Sequence, residues 1–173
     1  VDISGSEYFG TQQQFKRDTL TEIAATLAFS AIQNNDKVGL LLFSDGVELF
    51  IPPKKGKSHV LRIIRELIEF QPKSKKTNVN EALKFLSQVM KKKAIVFVLS
   101  DFMDNHDEHT LKIVGRKHDV TGIRVFDRRD AEMPNIGMVA MEDSESGAVQ
   151  LVDTASKQVR LSYARYYNET VDY

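Results

Sequence analysis

Apolar residues follow two different spacings along the chain, and the two spacings predict helices and strands in alternation. Where apolar residues fall three and four positions apart, they predict one buried helical stripe. Capping boxes, with a hydroxyl or amide side chain three residues before Glu or Gln, precede three of these stretches. The predicted helices cover the stretch from Thr11–Gln14 to Asn34, residues 58–70, residues 78 to about 92, and residues 105 to about 117.

Short apolar runs between these helices predict strands. KVGLLLF and VELFI are joined by Asp45-Gly46, a typical hairpin turn, and Pro52 and Pro53 are expected to end the second strand. AIVFVLS is apolar up to Ser100, which is typical of a strand buried on both faces of a sheet. VTGIRVF, GMVAM and AVQLV predict further strands, and a tyrosine-bearing helix is expected from about Ala155.

This order of elements predicts an α/β fold with one domain over residues 1–173. We expect a doubly wound, mostly parallel central sheet with helices on both faces and one antiparallel hairpin strand. In such sheets, ligands bind at the carboxyl ends of the strands. Asp101, directly after the most apolar run, is therefore the first candidate for a site.

Oxygen-bearing side chains at the start of the chain extend this candidate site. The first of them are spaced two apart, so in an extended loop their oxygens can converge on one point. Mg²⁺ takes about six oxygen ligands, including waters, and is usually held by one or two carboxylates. The candidate metal ligands are Asp2, Ser4, Ser6, Thr77 and Asp101.

The motif Asp-x-Ser-x-Ser, a later Thr that opens a helix, and an Asp that ends an apolar strand resemble the metal-ion-dependent adhesion site of von Willebrand factor A domains. The run NNDKVGLLLFSDGVELFIPPKKGKSHVLRII and the later LSDF are similar to a bacterial branch of uncharacterised A-like proteins found alongside MoxR-type AAA ATPases. The resemblance covers nearly the whole chain.

The resemblance implies that the two serines and Thr77 bind Mg²⁺ (or Mn²⁺ or Ca²⁺) directly, while Asp2 and Asp101 help directly or through water. It implies a non-catalytic protein-binding module whose metal is completed by an acidic side chain of a partner, within an assembly or maturation system linked to a MoxR-type ATPase. In this superfamily a central strand ends at the first Asp. Val1 and Asp2 stand at the start of the printed sequence, so the chain is expected to be a fragment of a longer protein with this first central strand truncated.

Composition narrows the classes of partner and the cellular compartment that we expect for this chain. Lys plus Arg equal Asp plus Glu at 24 each, so no overall field attracts nucleic acid or an anionic membrane. The chain has no Cys, which removes disulfides and thiolate sites and suits a cytoplasmic protein. No apolar run approaches the roughly 20 residues of a membrane span. We expect no direct membrane contact by this fragment, although the full-length protein is a candidate for membrane association.

Two alternative functions stay open. A Mg²⁺-dependent phosphohydrolase would use Asp2 as nucleophile, but Ser4 stands where that chemistry normally has a second acid. A structural domain with a vestigial metal site is the other alternative. A second metal cluster at His106, Asp107 and His109 is weighed against the simpler interpretation of a helix start with an acidic first turn.

Overall fold

Helices and strands are interspersed along the chain, singly or in consecutive pairs. The computed structural model describes residues 1–4, 13–103, 107–126, 132–142 and 148–171. Five helices and six strands lie in these ranges: α1 Gln13–Gln33, β1 Val38–Phe43, β2 Val47–Lys54, α2 Lys57–Glu69, α3 Val79–Val89, β3 Ile95–Ser100, α4 Glu108–Lys117, β4 Asp119–Arg124, β5 Met138–Glu142, β6 Val149–Asp153 and α5 Lys157–Val171.

The strands of the described ranges form pairs. β1 pairs with β2 antiparallel through the predicted hairpin, β3 pairs with β4 parallel across α4, and β5 pairs with β6 antiparallel. A mixed α/β fold with parallel and antiparallel strand pairs is therefore confirmed. No helix within the described ranges combines the length and apolarity needed to cross a bilayer.

Three residues at the start of the chain link two of these strand pairs. The backbone N–H of Asp2 donates to Leu99 O in β3 at 2.8 Å. On the other side, the N–H of Ile3 donates to Phe43 O in β1 at 2.9 Å, and the N–H of Phe43 donates to Val1 O at 3.2 Å. Val1–Ile3 thus lies between β1 and β3 in an extended, strand-like position.

Alternate residues of the central strands pack against different helices. In β1, Leu42 packs with the α2 face that carries Ile63 and Leu67, while the next residue, Phe43, packs with the α3 face. In β3, Leu99 packs with α1 and the preceding residue packs with α3 and α4. In the C-terminal half of each strand both faces are removed from water, which explains the apolar residues there. The expectation of two-sided burial is wrong for the first half of β3, where Ile95 and Phe97 are exposed.

Several element boundaries differ from the sequence expectations. β2 continues through Pro52 and Pro53 to Lys54, because the register shift between Val38 and Leu40 forms an irregularity where two residues without N–H groups are tolerated. Gly39 makes room for this segment: a Cβ on it would meet Ile51 O at 2.9 Å. The third helix ends at Val89, about three residues early.

The start of α4 also differs. The N-cap is Asp107, two residues after the predicted Asn105, and its side chain accepts from His109 N. Asn105 itself, like Thr11, lies outside the described residues. The capping box at Asn78 is confirmed in its main contact, since the Asn78 side chain accepts from Glu81 N at 3.2 Å.

Candidate metal site

Asp2 is the most deeply buried carboxylate of the candidate site. The residue is 1% exposed, and its strand-like hydrogen bonds to β1 and β3 fix its backbone. Its Oδ2 accepts a hydrogen bond from Ser100 Oγ at 2.6 Å, and its Oδ1 accepts from Ser4 N at 2.9 Å. The side chain is thus held in one orientation by the last residue of β3 and by its own loop.

Asp101 follows β3 directly and lies beside Asp2. It is 4% exposed, and its Oδ1 accepts from Met103 N at 3.2 Å. The next residue, Phe102, has a φ of 54°, a left-handed conformation that is uncommon for a bulky residue. The Phe102 ring packs against Gly122, where a Cβ would approach the ring to 3.1 Å.

The surroundings of Asp2 disfavour its ionised form. Burial raises the pKa of Asp2 above its usual value, the hydrogen bonds from Ser100 and Ser4 oppose this shift, and the neighbouring charge of Asp101 raises the pKa further. Within the described part of the chain, no Lys or Arg forms an ion pair with either residue. Among these residues, neither buried carboxylate is therefore neutralised by an ion pair with Lys or Arg.

Ser4 is fully buried at 0% exposure and belongs to the same cluster through its contact with Asp2. Thr77 is half-buried and lies immediately before Asn78, whose N–H donates to Ser44 O at 2.7 Å at the end of β1. Ser6 lies outside the described residues. The structure thus brings Asp2, Ser4 and Asp101 together, and it brings Thr77 to the same ends of the strands.

Sequence reasoning missed two residues that hold the site together. Ser100 is fully buried and links Asp2 to the loop after β3, because its Oγ also accepts from Phe102 N at 3.1 Å. Arg124 donates from Nε to Asp101 O at 2.9 Å and from a terminal nitrogen to Tyr167 Oη at 3.1 Å. A small hydroxyl ending an otherwise apolar strand was the available signal for Ser100, whereas nothing local to β4 indicates the role of Arg124.

The suggested second metal cluster has a structural explanation in the described residues. Asp107 accepts from His109 N at 3.0 Å and from Thr110 Oγ1 at 2.7 Å, as an N-cap does, and these contacts lower the pKa of Asp107. His106 lies outside the described ranges. Among described residues, no three His, Cys, Asp or Glu side chains gather into a possible metal cluster. The candidate site at Asp2 and Asp101 has two carboxylates and depends on Ser and Thr hydroxyls for its other ligands.

Carboxylate and hydroxyl oxygens of this kind suit a small, hard divalent cation. Mg²⁺ is usually bound by one or two carboxylates and keeps several waters. Asp2 and Asp101 would supply the carboxylates, and the hydroxyls would add neutral ligands. Two buried carboxylates that form no ion pair with Lys or Arg among the described residues fit such a cation on electrostatic grounds.

Comparison with known proteins establishes the family. The family described as "Protein of unknown function DUF58" matches residues 1–172. This chain belongs to the DUF58 family. Uncharacterized proteins of Mycobacterium tuberculosis and Mycobacterium bovis are each 28% identical to it over 153 residues, which is 87% of this chain and 48% of theirs. The chain therefore spans about half the length of these curated relatives.

Two solved structures share the fold of this DUF58 chain. A conserved hypothetical protein, BatB, from Bacteroides thetaiotaomicron superimposes with a TM-score of 0.61 over 96% of this chain and 83% of that protein, at 18% identity. An aerotolerance-related membrane protein from Bacteroides fragilis superimposes with a TM-score of 0.60 over 96% and 85%, also at 18% identity. At this identity the likeness concerns the fold alone.

Proposed function

We propose that this DUF58 chain is a non-catalytic module that binds a protein partner through a divalent metal, Mg²⁺ or alternatively Mn²⁺ or Ca²⁺. The observation that carries the proposal is the pair Asp2 and Asp101, two buried carboxylates whose charges interact and which form no ion pair with Lys or Arg among the described residues. A cation in contact with both would relieve their repulsion. The ligand set is Asp2, Ser4, Ser6, Thr77 and Asp101, as the resemblance to von Willebrand factor A domains implies.

The proposed mechanism follows from the charge of this set. Two carboxylates neutralise a divalent ion, and neutral hydroxyls add no further charge, so the ion keeps an affinity for another anionic oxygen. A Glu or Asp side chain of the partner would supply that oxygen. Ser100 and Arg124 act on the protein side by holding Asp2 and the Asp101 loop in place.

The proposal includes a fold in which the strands form one doubly wound, mostly parallel sheet. Support comes from Val1–Ile3, which hydrogen-bonds to β1 on one side and to β3 on the other, and from the helices packed against alternate residues of these strands. Candidate ligands would then lie together at the carboxyl ends of the strands, as in other sheets of this kind.

Binding is favoured over phosphohydrolase chemistry by the environment of Asp2. A nucleophilic carboxylate must contact its substrate directly, whereas the buried Asp2, whose two oxygens both accept hydrogen bonds, could still help to hold an ion through water. In addition, Ser4 stands where the phosphohydrolase chemistry normally has a second acid. A MoxR-type ATPase as partner and a cytoplasmic location rest only on the sequence resemblance and composition. The vestigial-site alternative predicts the same fold without metal affinity.

Isothermal titration of Mg²⁺ and Mn²⁺ into metal-free protein tests the proposal. Wild-type protein is expected to bind one ion saturably, Asp101→Asn is expected to lose binding, and the control Asp18→Asn, which changes an exposed carboxylate on α1, is expected to bind normally. Equal, unsaturable heats for all three proteins would overturn the metal-dependent function and favour the vestigial site.

A further inference from the structure

A carboxylate outside the ligand set ties the β1–β2 hairpin to the loop that carries Thr77. Glu48 Oε1 accepts hydrogen bonds from Ser44 Oγ at 2.7 Å, from Lys73 N at 2.9 Å and from Ser74 N at 3.4 Å. We propose that Glu48 is a positioning residue for the metal site, fixing this loop so that Thr77 reaches the ion. This inference rests on the proposed metal-binding function.

Thr77 lies between two attachments to the same hairpin. On one side, Glu48 holds the backbone N–H groups of Lys73 and Ser74. On the other side, Ser44 O accepts from Asn78 N at 2.7 Å. With both flanks attached to the hairpin, the position of Thr77 is set by the hairpin and not by the basic loop itself.

The same hairpin also carries the other end of the site. Phe43, the last residue of β1, exchanges backbone hydrogen bonds with Val1 and Ile3 on either side of Asp2. The turn that follows contains Ser44, which touches Glu48 and receives the N–H of Asn78. The distance between Asp2 and Thr77 therefore depends on one rigid element, to which Glu48 attaches the less regular partner.

The chemistry of Glu48 suits this role better than a role in stability alone. Residues 71–77 have no helical or strand hydrogen bonds of their own, so their N–H groups need side-chain acceptors. An ionised carboxylate accepts such bonds roughly twice as strongly as a neutral group. Glu48 Oε2, however, is buried and has no hydrogen-bond partner among the described residues, which is an unfavourable arrangement for folding.

The test compares Glu48→Ala and Glu48→Gln with wild type and with a matched control, Asp45→Ala. The control removes one negative charge from the turn before β2, where Asp45 accepts from Ser44 Oγ at 3.3 Å, but it leaves the contacts of Glu48 with residues 73 and 74 intact. The first readout is amide hydrogen exchange of the whole chain in EDTA. Exchange at the Lys73 and Ser74 amides is expected to rise about tenfold in Glu48→Ala and by less in Glu48→Gln.

The second readout is the Mn²⁺ dissociation constant measured by titration calorimetry. Removing a group that positions metal ligands typically weakens binding about 10-fold to 100-fold, so we expect at least the lower value for Glu48→Ala. Glu48→Gln should recover most of the affinity, and the control should match wild type. In a Thr77→Ala background, Glu48→Ala should add little, because its effect passes through Thr77.

Each outcome has one meaning. Unchanged exchange at residues 73 and 74 in Glu48→Ala would overturn the positioning role whatever the metal does. Faster exchange with wild-type Mn²⁺ affinity would also overturn it and leave the metal site intact. Absence of Mn²⁺ binding in wild type and control alike would overturn the proposed function itself. If Glu48→Ala does not fold, Glu48→Gln decides alone, since it must show the same changes at smaller amplitude.

Discussion

Asp2→Asn separates the two demands that stability and metal binding place on the candidate site. The substitution keeps the shape of the side chain and removes its charge. An Asn at this position can still accept from Ser4 N, and its amide nitrogen can donate to Ser100 Oγ, which lies 2.6 Å from the carboxylate oxygen it replaces. It also removes the repulsion between Asp2 and Asp101.

Relative to wild type, Asp2→Asn is expected to change the free energy of unfolding in opposite directions with and without metal. In EDTA, the free energy of unfolding of the variant should equal or exceed that of wild type. The reason is that a buried negative charge without an ion-pair partner is lost while the hydrogen bonds remain. At a Mg²⁺ concentration 100 times the dissociation constant, wild type should gain about 2.7 kcal/mol. For a domain of this size that gain raises the melting temperature by about 5–11 °C, at 2–4 °C per kcal/mol.

The pH dependence of wild type has a defined sign. Because the folded pKa of Asp2 is raised above 3.8, the folded state binds its proton more tightly than the unfolded state. This contribution to stability is therefore present at low pH and is lost as the pH rises from about 4 through the folded pKa. Mg²⁺ selects the ionised form, so its stabilising effect should grow over the same range.

Differential scanning fluorimetry of wild type and Asp2→Asn, in EDTA and in Mg²⁺ over a series of pH values, measures the melting temperatures that these predictions concern. The expected result is a metal-dependent rise for wild type and none for the variant. A variant destabilised in EDTA by more than about 1 kcal/mol would show that the ionised carboxylate stabilises the fold. A variant that still gains stability from Mg²⁺ would refute the role of Asp2 as a ligand.

Three further predictions concern the fold around the site. Gly122→Ala should lower stability by about 1–3 kcal/mol, because the new methyl group meets the Phe102 ring at 3.1 Å; chemical denaturation measures this, and an unchanged midpoint would contradict the contact. His118 is buried with both ring nitrogens unpartnered among described residues, and burial, aided by the charge of Lys117, lowers its pKa. Wild-type stability should therefore fall as the pH drops below about 6.5, and His118→Leu should show a smaller fall in the same melting series. Asn78→Ala should cost about 1 kcal/mol by removing the N-cap of α3, and a cost near zero in urea denaturation would exclude the capping role.

The spacing of apolar residues predicted helices and strands well where one buried face determines which positions are apolar. The hairpin turn at Asp45-Gly46 and the Asn78 cap depend on neighbouring residues only, and both were found. The two prolines of β2 were misjudged because their tolerance depends on an irregular register with β1 and on Gly39, which is a relation between two strands. Rules that use only neighbouring residues in the sequence do not include contacts between two strands.

The ligand candidates show the same division. The spacing of Asp2 and Ser4, and the place of Asp101 after an apolar run, indicated oxygen ligands from the sequence alone. The burial of Asp2 and Asp101 could not be predicted, nor could the lack of an ion pair with Lys or Arg among the described residues, because both depend on which side chains reach the site from elsewhere in the chain. The prediction that Ser6 and Thr77 complete the ligand set stays a prediction.

The sequence by itself determined the order and type of the elements, the oxygen-rich character of the candidate site and the absence of cysteine chemistry, since these follow from residue type and short-range spacing. Only the tertiary structure decided that Val1–Ile3 lies between β1 and β3, that Ser100 holds Asp2, and that Glu48 holds the loop before Thr77. Those contacts join residues 25 to 98 positions apart. Long-range pairs of this kind depend on how whole elements pack, because burying two apolar faces fixes which polar groups meet at their edges.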